Sequence, residues 1–176
     1  MTEFFEAIRD FTETGGQVLL VIGFLIFAMW LLILERVLYI NITHKQLKKE
    51  TIAKWKARKD RKSWYAEQIR QAYISRLSIK LNGTIPIIQA LVALCPLLGL
   101  MGTVTGMIEV FDVMAISGSG NARSMASGVS KATIPTMAGM VGALSGVFAS
   151  AYLTKTSKAE RTHLEDAMQL KRDINT

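Results

Sequence analysis

Three uncharged, largely apolar runs divide the chain. Thr14–Leu34 lies between Glu13 and Glu35, Leu81–Ile108 between Lys80 and Glu109, and Ala132–Thr154 between Lys131 and Lys155. A helix of roughly 20 residues, rising about 1.5 Å per residue, matches the hydrocarbon core of a bilayer. The pattern therefore predicts an all-α membrane protein with three transmembrane helices, at about 15–36, 84–110 and 130–153, in a single domain over residues 1–176. A polar loop fills about 37–83, and a polar tail fills 154–176. From Trp55 through Lys80 there is no Gly or Pro, and Ile69, Tyr73 and Leu77 recur at helical spacing. That predicts a helix over 64–81 running into the second span, with a break or bend near Asn82-Gly83 and Pro86. The tail predicts helix over 154–173, with Leu164, Met168 and Lys171 on one face. Between spans two and three, residues 117–121 read as a turn.

Composition narrows the class. Half the residues are hydrophobic and the mean hydropathy is +0.27, which excludes a disordered chain and largely excludes a soluble enzyme. Lys and Arg are placed unevenly: 18 of the 21 fall in residues 35–80 and 155–176. Cytoplasmic segments accumulate these residues, so the expected topology is N-terminus out, C-terminus in, with the large loop and tail inside. The leader carries Glu3, Glu6, Asp10 and Glu13 against Arg9 alone, which does not fit a cleavable signal. The net charge is +7. Trp55, Trp64 and Tyr65 within the basic loop are read as a contact with anionic inner-leaflet lipid in preference to nucleic acid. One cysteine, Cys95, forms no internal disulfide, and His44 and His163 lack metal-ligand spacing. No phosphate loop, nucleophile elbow or pair of catalytic carboxylates is present, so neither an enzyme nor a cofactor is expected.

The spans differ in texture. The first is bulky and suits lipid. In the second, Cys95, Gly99, Gly102, Gly106 and Glu109 form one helical stripe; in the third, Gly139, Gly142 and Gly146 lie beside Ala138, Ala143, Ala149 and Ser150. Small stripes let helix backbones approach closely, and two in one three-span chain suggest packing beyond one chain. Thr103, Thr105, Thr133, Thr136 and Ser145 have two readings. Each hydroxyl bonds a carbonyl of its own helix, or together they form a hydrophilic line near the carbonyls that Pro96 and Pro135 free. Lys131, just before the third run, either snorkels to the headgroups or faces a partner's carboxylate. Glu35-Arg36 reads as an interfacial anchor, and Glu109 and Asp112 as ordinary helix-end acids.

Residues 96–106, PLLGLMGTVTG, closely resemble the second-span signature of the MotA/TolQ/ExbB proton channel family, and GVSKATIPTMAGM at 128–140 resembles its third-span pattern. The short leader and small outer loop look like the compact ExbB-type members. The resemblance implies a pentamer around a dimeric, single-span ExbD/TolR-like partner in the inner membrane of a Gram-negative bacterium. The partner's transmembrane Asp takes up protons driven by the proton-motive force, and the motion passes to a TonB-like transducer. It also implies that Thr103 and Thr136 line the ion path. One position departs: the family's span-three Glu falls on Lys131. Three roles stay open for that lysine: gating the partner's Asp, facing away, or marking a subunit that depends on a longer family member. A non-conducting scaffold, and a Tol-type or motility stator, stand as alternatives to the TonB-type role.

Overall fold

The computed structural model describes the backbone of residues 2–58, 60, 63–117 and 122–168, and the side chains of 16–58, 60, 63–116 and 125–168. Residues 118–121 of the expected turn, and the end of the expected tail helix with Lys171, lie outside the described residues. Among the described residues five α-helices succeed one another: α1 (Thr2–Leu38), α2 (Lys45–Lys56), α3 (Trp64–Asn82), α4 (Ile85–Ser117) and α5 (Ala122–Ala167). A π-helical segment, Tyr39–His44, joins α1 to α2. Among the described residues three helical stretches, Gly16–Lys56, Trp64–Ile116 and Met125–Ala167, are long and apolar enough to cross a membrane. The chain forms two compact units, residues 1–31 with 89–148 and residues 32–88 with 149–176.

In the first unit, α1 bends at Gly16, whose φ of 64° puts it in the left-handed region. A side chain there would clash with its own carbonyl, so glycine sets the point where the leader turns into the span. Beyond the bend, Leu19, Ile22 and Met29 are buried on one face, while Leu20, Phe24 and Phe27 stand exposed on the other. Spans two and three meet through their glycines. A β-carbon on Gly139 would lie 2.5 Å from the Cys95 carbonyl oxygen, and one on Gly99 would lie 2.9 Å from the Thr136 Cα. Gly106 faces Ala132, Gly102 faces Pro135, and Gly128 of α5 faces Val110. Ile26 and Met29 of α1 fill the spaces over Gly142 and Gly146. The small stripes are therefore occupied within one chain. Backbones and side chains of the same three spans fill them.

The second unit has its own core, Trp55, Ala66, Ile74, Leu77, Leu164 and Met168, with Leu47, Ile52 and Tyr73 packed against it. Trp55 is 1% exposed, which removes it from any lipid contact; Trp64 and Tyr65 remain exposed and meet edge to face at 5.3 Å. The expected helix over 64–81 appears as α3, started by Ser63, whose hydroxyl accepts from the Tyr65 N–H. The helix is interrupted at Gly83-Thr84 and resumes at Ile85. Pro86 has no N–H to offer the preceding turn, which accounts for the break, and a proline is well tolerated in the first turn of α4.

Arg36 is not an interfacial anchor. It is 4% exposed, donates to the Lys80 carbonyl of α3, and lies 4.8 Å over the Tyr39 ring. A charged group so far from water needs such partners, and a lipid-facing position would not supply them. The π-segment keeps Arg36 aligned with the buried residues after it. Arg36, Ile40 and His44 are all buried at four-residue steps. In an α-helix each such step overshoots a full turn by ~40°. The wider π turn absorbs that drift and holds the three on one face.

Arg70 closes the far end of α5. Its Nε donates to the Met168 carbonyl at 2.6 Å and its Nη2 to the Glu165 carbonyl at 2.9 Å. The last carbonyls of a helix have no partner within it, and a cation there also opposes the helix dipole. Arg70→Met keeps the apolar stem and removes both donors. It is expected to destabilise the end of α5 by about 1–2 kcal/mol, seen as faster amide exchange over 160–168 with exchange in spans two and three unchanged.

Candidate functional site

The hydroxyls in the spans fall into two groups. Thr103 donates to the Leu100 carbonyl, Thr105 to those of Met101 and Gly102, Thr133 to that of Ser130, and Ser145 to that of Gly142. All of these are carbonyls of the same helix, three or four residues back. Thr136 differs. Its Oγ1 crosses to α4 and donates to the Gly99 carbonyl at 2.9 Å. That crossing is possible because Gly99 has no side chain: a β-carbon there would meet the Thr136 Cα and the Pro135 carbonyl oxygen, at 2.9 and 3.1 Å. Thr136 is half-buried where spans two and three meet, while Thr103 is half-buried on α4 with its hydroxyl turned to its own helix.

Lys131 lies elsewhere. It is exposed and lines an open cavity of about 470 Å³ in the same unit, together with Gln17, Thr105 and Glu109. Gly16, Gly102, Gly106 and Gly128 also line it, so its wall is partly bare backbone. Among the described residues no ion pair joins Lys131 to Glu109. Neither Thr103 nor Thr136 is among the residues lining the cavity. Pro135, which does line it, lacks the N–H that would reach back to the Lys131 carbonyl. The structure therefore places two of the three sequence-predicted polar residues away from the third.

Gln17 escaped the sequence reading altogether. Its one signal was an amide directly after Gly15-Gly16 inside an uncharged run. The role of Glu109 as a wall of the Lys131 cavity was also hidden, because it depends on which faces of α4 and α5 meet. Among the described residues, no group of three or more His, Cys, Asp and Glu is placed to hold a metal ion.

The motif PLLGLMGTVTG and the pattern at 128–140 are the segments that meet at Thr136 and Gly99. Residues 34–166 match the sequence profile of the MotA/TolQ/ExbB proton channel family. The chain belongs to this family. It is similar to a Synechocystis sp. protein (strain ATCC 27184 / PCC 6803 / Kazusa) named, provisionally, biopolymer transport protein ExbB-like 1, with 46% identity over 61 residues. That match covers 33% of this chain and 24% of the relative's length. Membership, with the three long apolar helices, makes this a multi-pass membrane protein of the proton channel family.

Proposed function

We propose that the chain is the inner-membrane subunit of a proton-motive-force-driven motor. It assembles as a homo-oligomer, a pentamer, around a dimer of an ExbD/TolR-like single-span protein and energises TonB-dependent transport across the outer membrane of a Gram-negative bacterium. The observation that carries this reading is the bond from Thr136 to the Gly99 carbonyl, which ties the two family signatures together at the point where spans two and three touch. A hydroxyl that donates to a backbone carbonyl keeps two lone pairs, so Thr136 can still accept a hydrogen bond from water or a protonated group. The excess of Lys and Arg in 35–80 and 155–176 supports an N-out, C-in topology with the loop of about 37–83 and the tail 154–176 in the cytoplasm.

A second reading, a scaffold that conducts nothing on its own, is favoured by Lys131. An ammonium stands where the resemblance expects a carboxylate, exposed in a cavity beside Glu109. Native mass spectrometry of the complex purified from membranes separates the two. Five copies with two copies of a single-span, Asp-bearing protein, and proton uptake when that complex is placed in liposomes, are the expected results. A complex without such a partner, or one that assembles but takes up no protons, would instead establish the scaffold.

A further inference from the structure

Where the π-segment meets α2, a buried histidine and a lysine share one carboxylate. His44 is 2% exposed, and its Nε2 lies 3.6 Å from the Glu160 Oε2 of α5. That nitrogen has no hydrogen-bond partner. Lys48, one turn further on, holds the same oxygen at 2.7 Å. Arg36 lies on the same buried face, bonded to the Lys80 carbonyl. The charged groups acting on His44 are thus Arg36 and Lys48 on its own helical face and Glu160 across from it, while His163 of α5 also acts on Glu160. A proton on His44 would place a second cation against a single carboxylate already taken by Lys48, with Arg36 on the same buried face.

We propose that His44 is an acid-sensitive latch: neutral, it lets α5 pack on the π-segment and α2; protonated, it loosens that packing. Burial is the largest influence on the imidazole and holds it below its ordinary value, aided by Lys48 and Arg36 and opposed by Glu160. The Glu160 carboxyl is itself held low by the bond from Lys48, so it stays ionised while His44 titrates. Linkage sets the sign. A base whose folded pKa lies below its unfolded one leaves the packing at full strength above about pH 6.5. The packing weakens as pH falls from there to the folded value, then levels off, by about tenfold for each unit of depression. That the compartment sensed is the cytoplasm rests on the topology proposed above.

The chain has two histidines, His44 and His163, and the second is exposed. Labelling histidine alone in the full chain in nanodiscs therefore gives one buried signal with an exposed reference beside it. His44 is expected to titrate below the ordinary imidazole value of about 6.5, and amides over 149–168 to lose protection as pH goes from about 7.5 to about 5.5, beyond the change in intrinsic exchange. His44→Gln keeps a neutral donor near Glu160 and is expected to abolish that dependence. If His44 titrates at or above the ordinary imidazole value of about 6.5, or if it titrates while protection in 149–168 stays constant, the latch is overturned; a His44→Gln chain with the same pH dependence overturns it too. If the variant fails to fold, the wild-type titration decides alone. Because partner and membrane gradient are both absent, failure here leaves the motor reading untouched, and failure of that reading leaves this titration unchanged.

Discussion

Gly139→Ala is expected to separate spans two and three. The added methyl would sit 2.5 Å from the Cys95 carbonyl oxygen and 3.3 Å from the Gly99 Cα. Both are backbone atoms, so no rotamer change relieves the overlap, and one helix must move away from the other. Overpacking costs about 1–3 kcal/mol where side chains can adjust, and a backbone obstacle puts this variant at the upper end. Moving the helices apart also lengthens the Thr136 bond to Gly99, so the loss reaches the candidate ion path. Gly142→Ala is the informative contrast, since its obstacle is the flexible end of Ile26. Gly23→Ala has nothing within 4 Å of the new atom and serves as the neutral control. Thermal unfolding in detergent, followed by the oligomer fraction in native mass spectrometry, should rank the three as Gly139 worst, Gly142 intermediate and Gly23 unchanged. Equal stability for Gly139→Ala and Gly23→Ala would mean that the close approach at Cys95 is wrong.

Thr136→Val is expected to abolish proton uptake by the assembled complex while leaving assembly intact. Valine nearly matches the shape of threonine and puts a methyl in place of the hydroxyl. The structural cost is one neutral hydrogen bond, about 1 kcal/mol, since the Gly99 carbonyl lies in a helix and keeps its backbone donor. A proton path loses more, because the substitution deletes a span hydroxyl that reaches from α5 to α4. Thr136→Ser, which restores the hydroxyl without the methyl, should recover uptake. Normal uptake by an intact Thr136→Val complex would exclude a hydrated path at this residue. The same substitution at Thr133, whose hydroxyl is turned to the Ser130 carbonyl of its own helix, is the matched comparison.

Much of the helical layout was readable in the residues. Uncharged length places the spans, the absence of Gly and Pro from 56 to 80 places α3, and Leu164 with Met168 marks the face of α5 that is buried. These features are periodic and local, so a sequence carries them openly. What escaped depends on partners far along the chain. Arg36 looks like a membrane-edge cation until the Lys80 carbonyl is found beside it, 44 residues away. Trp55 sits in a run of lysines that suggests a lipid surface, yet its neighbours come from α3 and the end of α5. The glycine stripes announced close packing but not its occupants. A π-segment has no compositional signature that separates it from the α-helices on either side. For the candidate site, Thr136 and Lys131 could both be named in advance, but not that one crosses between helices while the other opens on a cavity with Gln17 and Glu109.

The backbone contact at Gly99 and Gly139 has a mechanical meaning. Side chains act as springs between helices: they change rotamer, tilt and absorb displacement. Where Gly139 meets the Cys95 carbonyl there is no side chain to yield on the glycine side, whereas α1 rests over Gly142 and Gly146 on the extendable ends of Ile26 and Met29. Spans two and three thus form a stiff two-helix blade, with span one attached through a compliant joint. A force applied to either helix of the blade moves both without lost motion, and whatever strain the chain takes up is concentrated at its seam with span one.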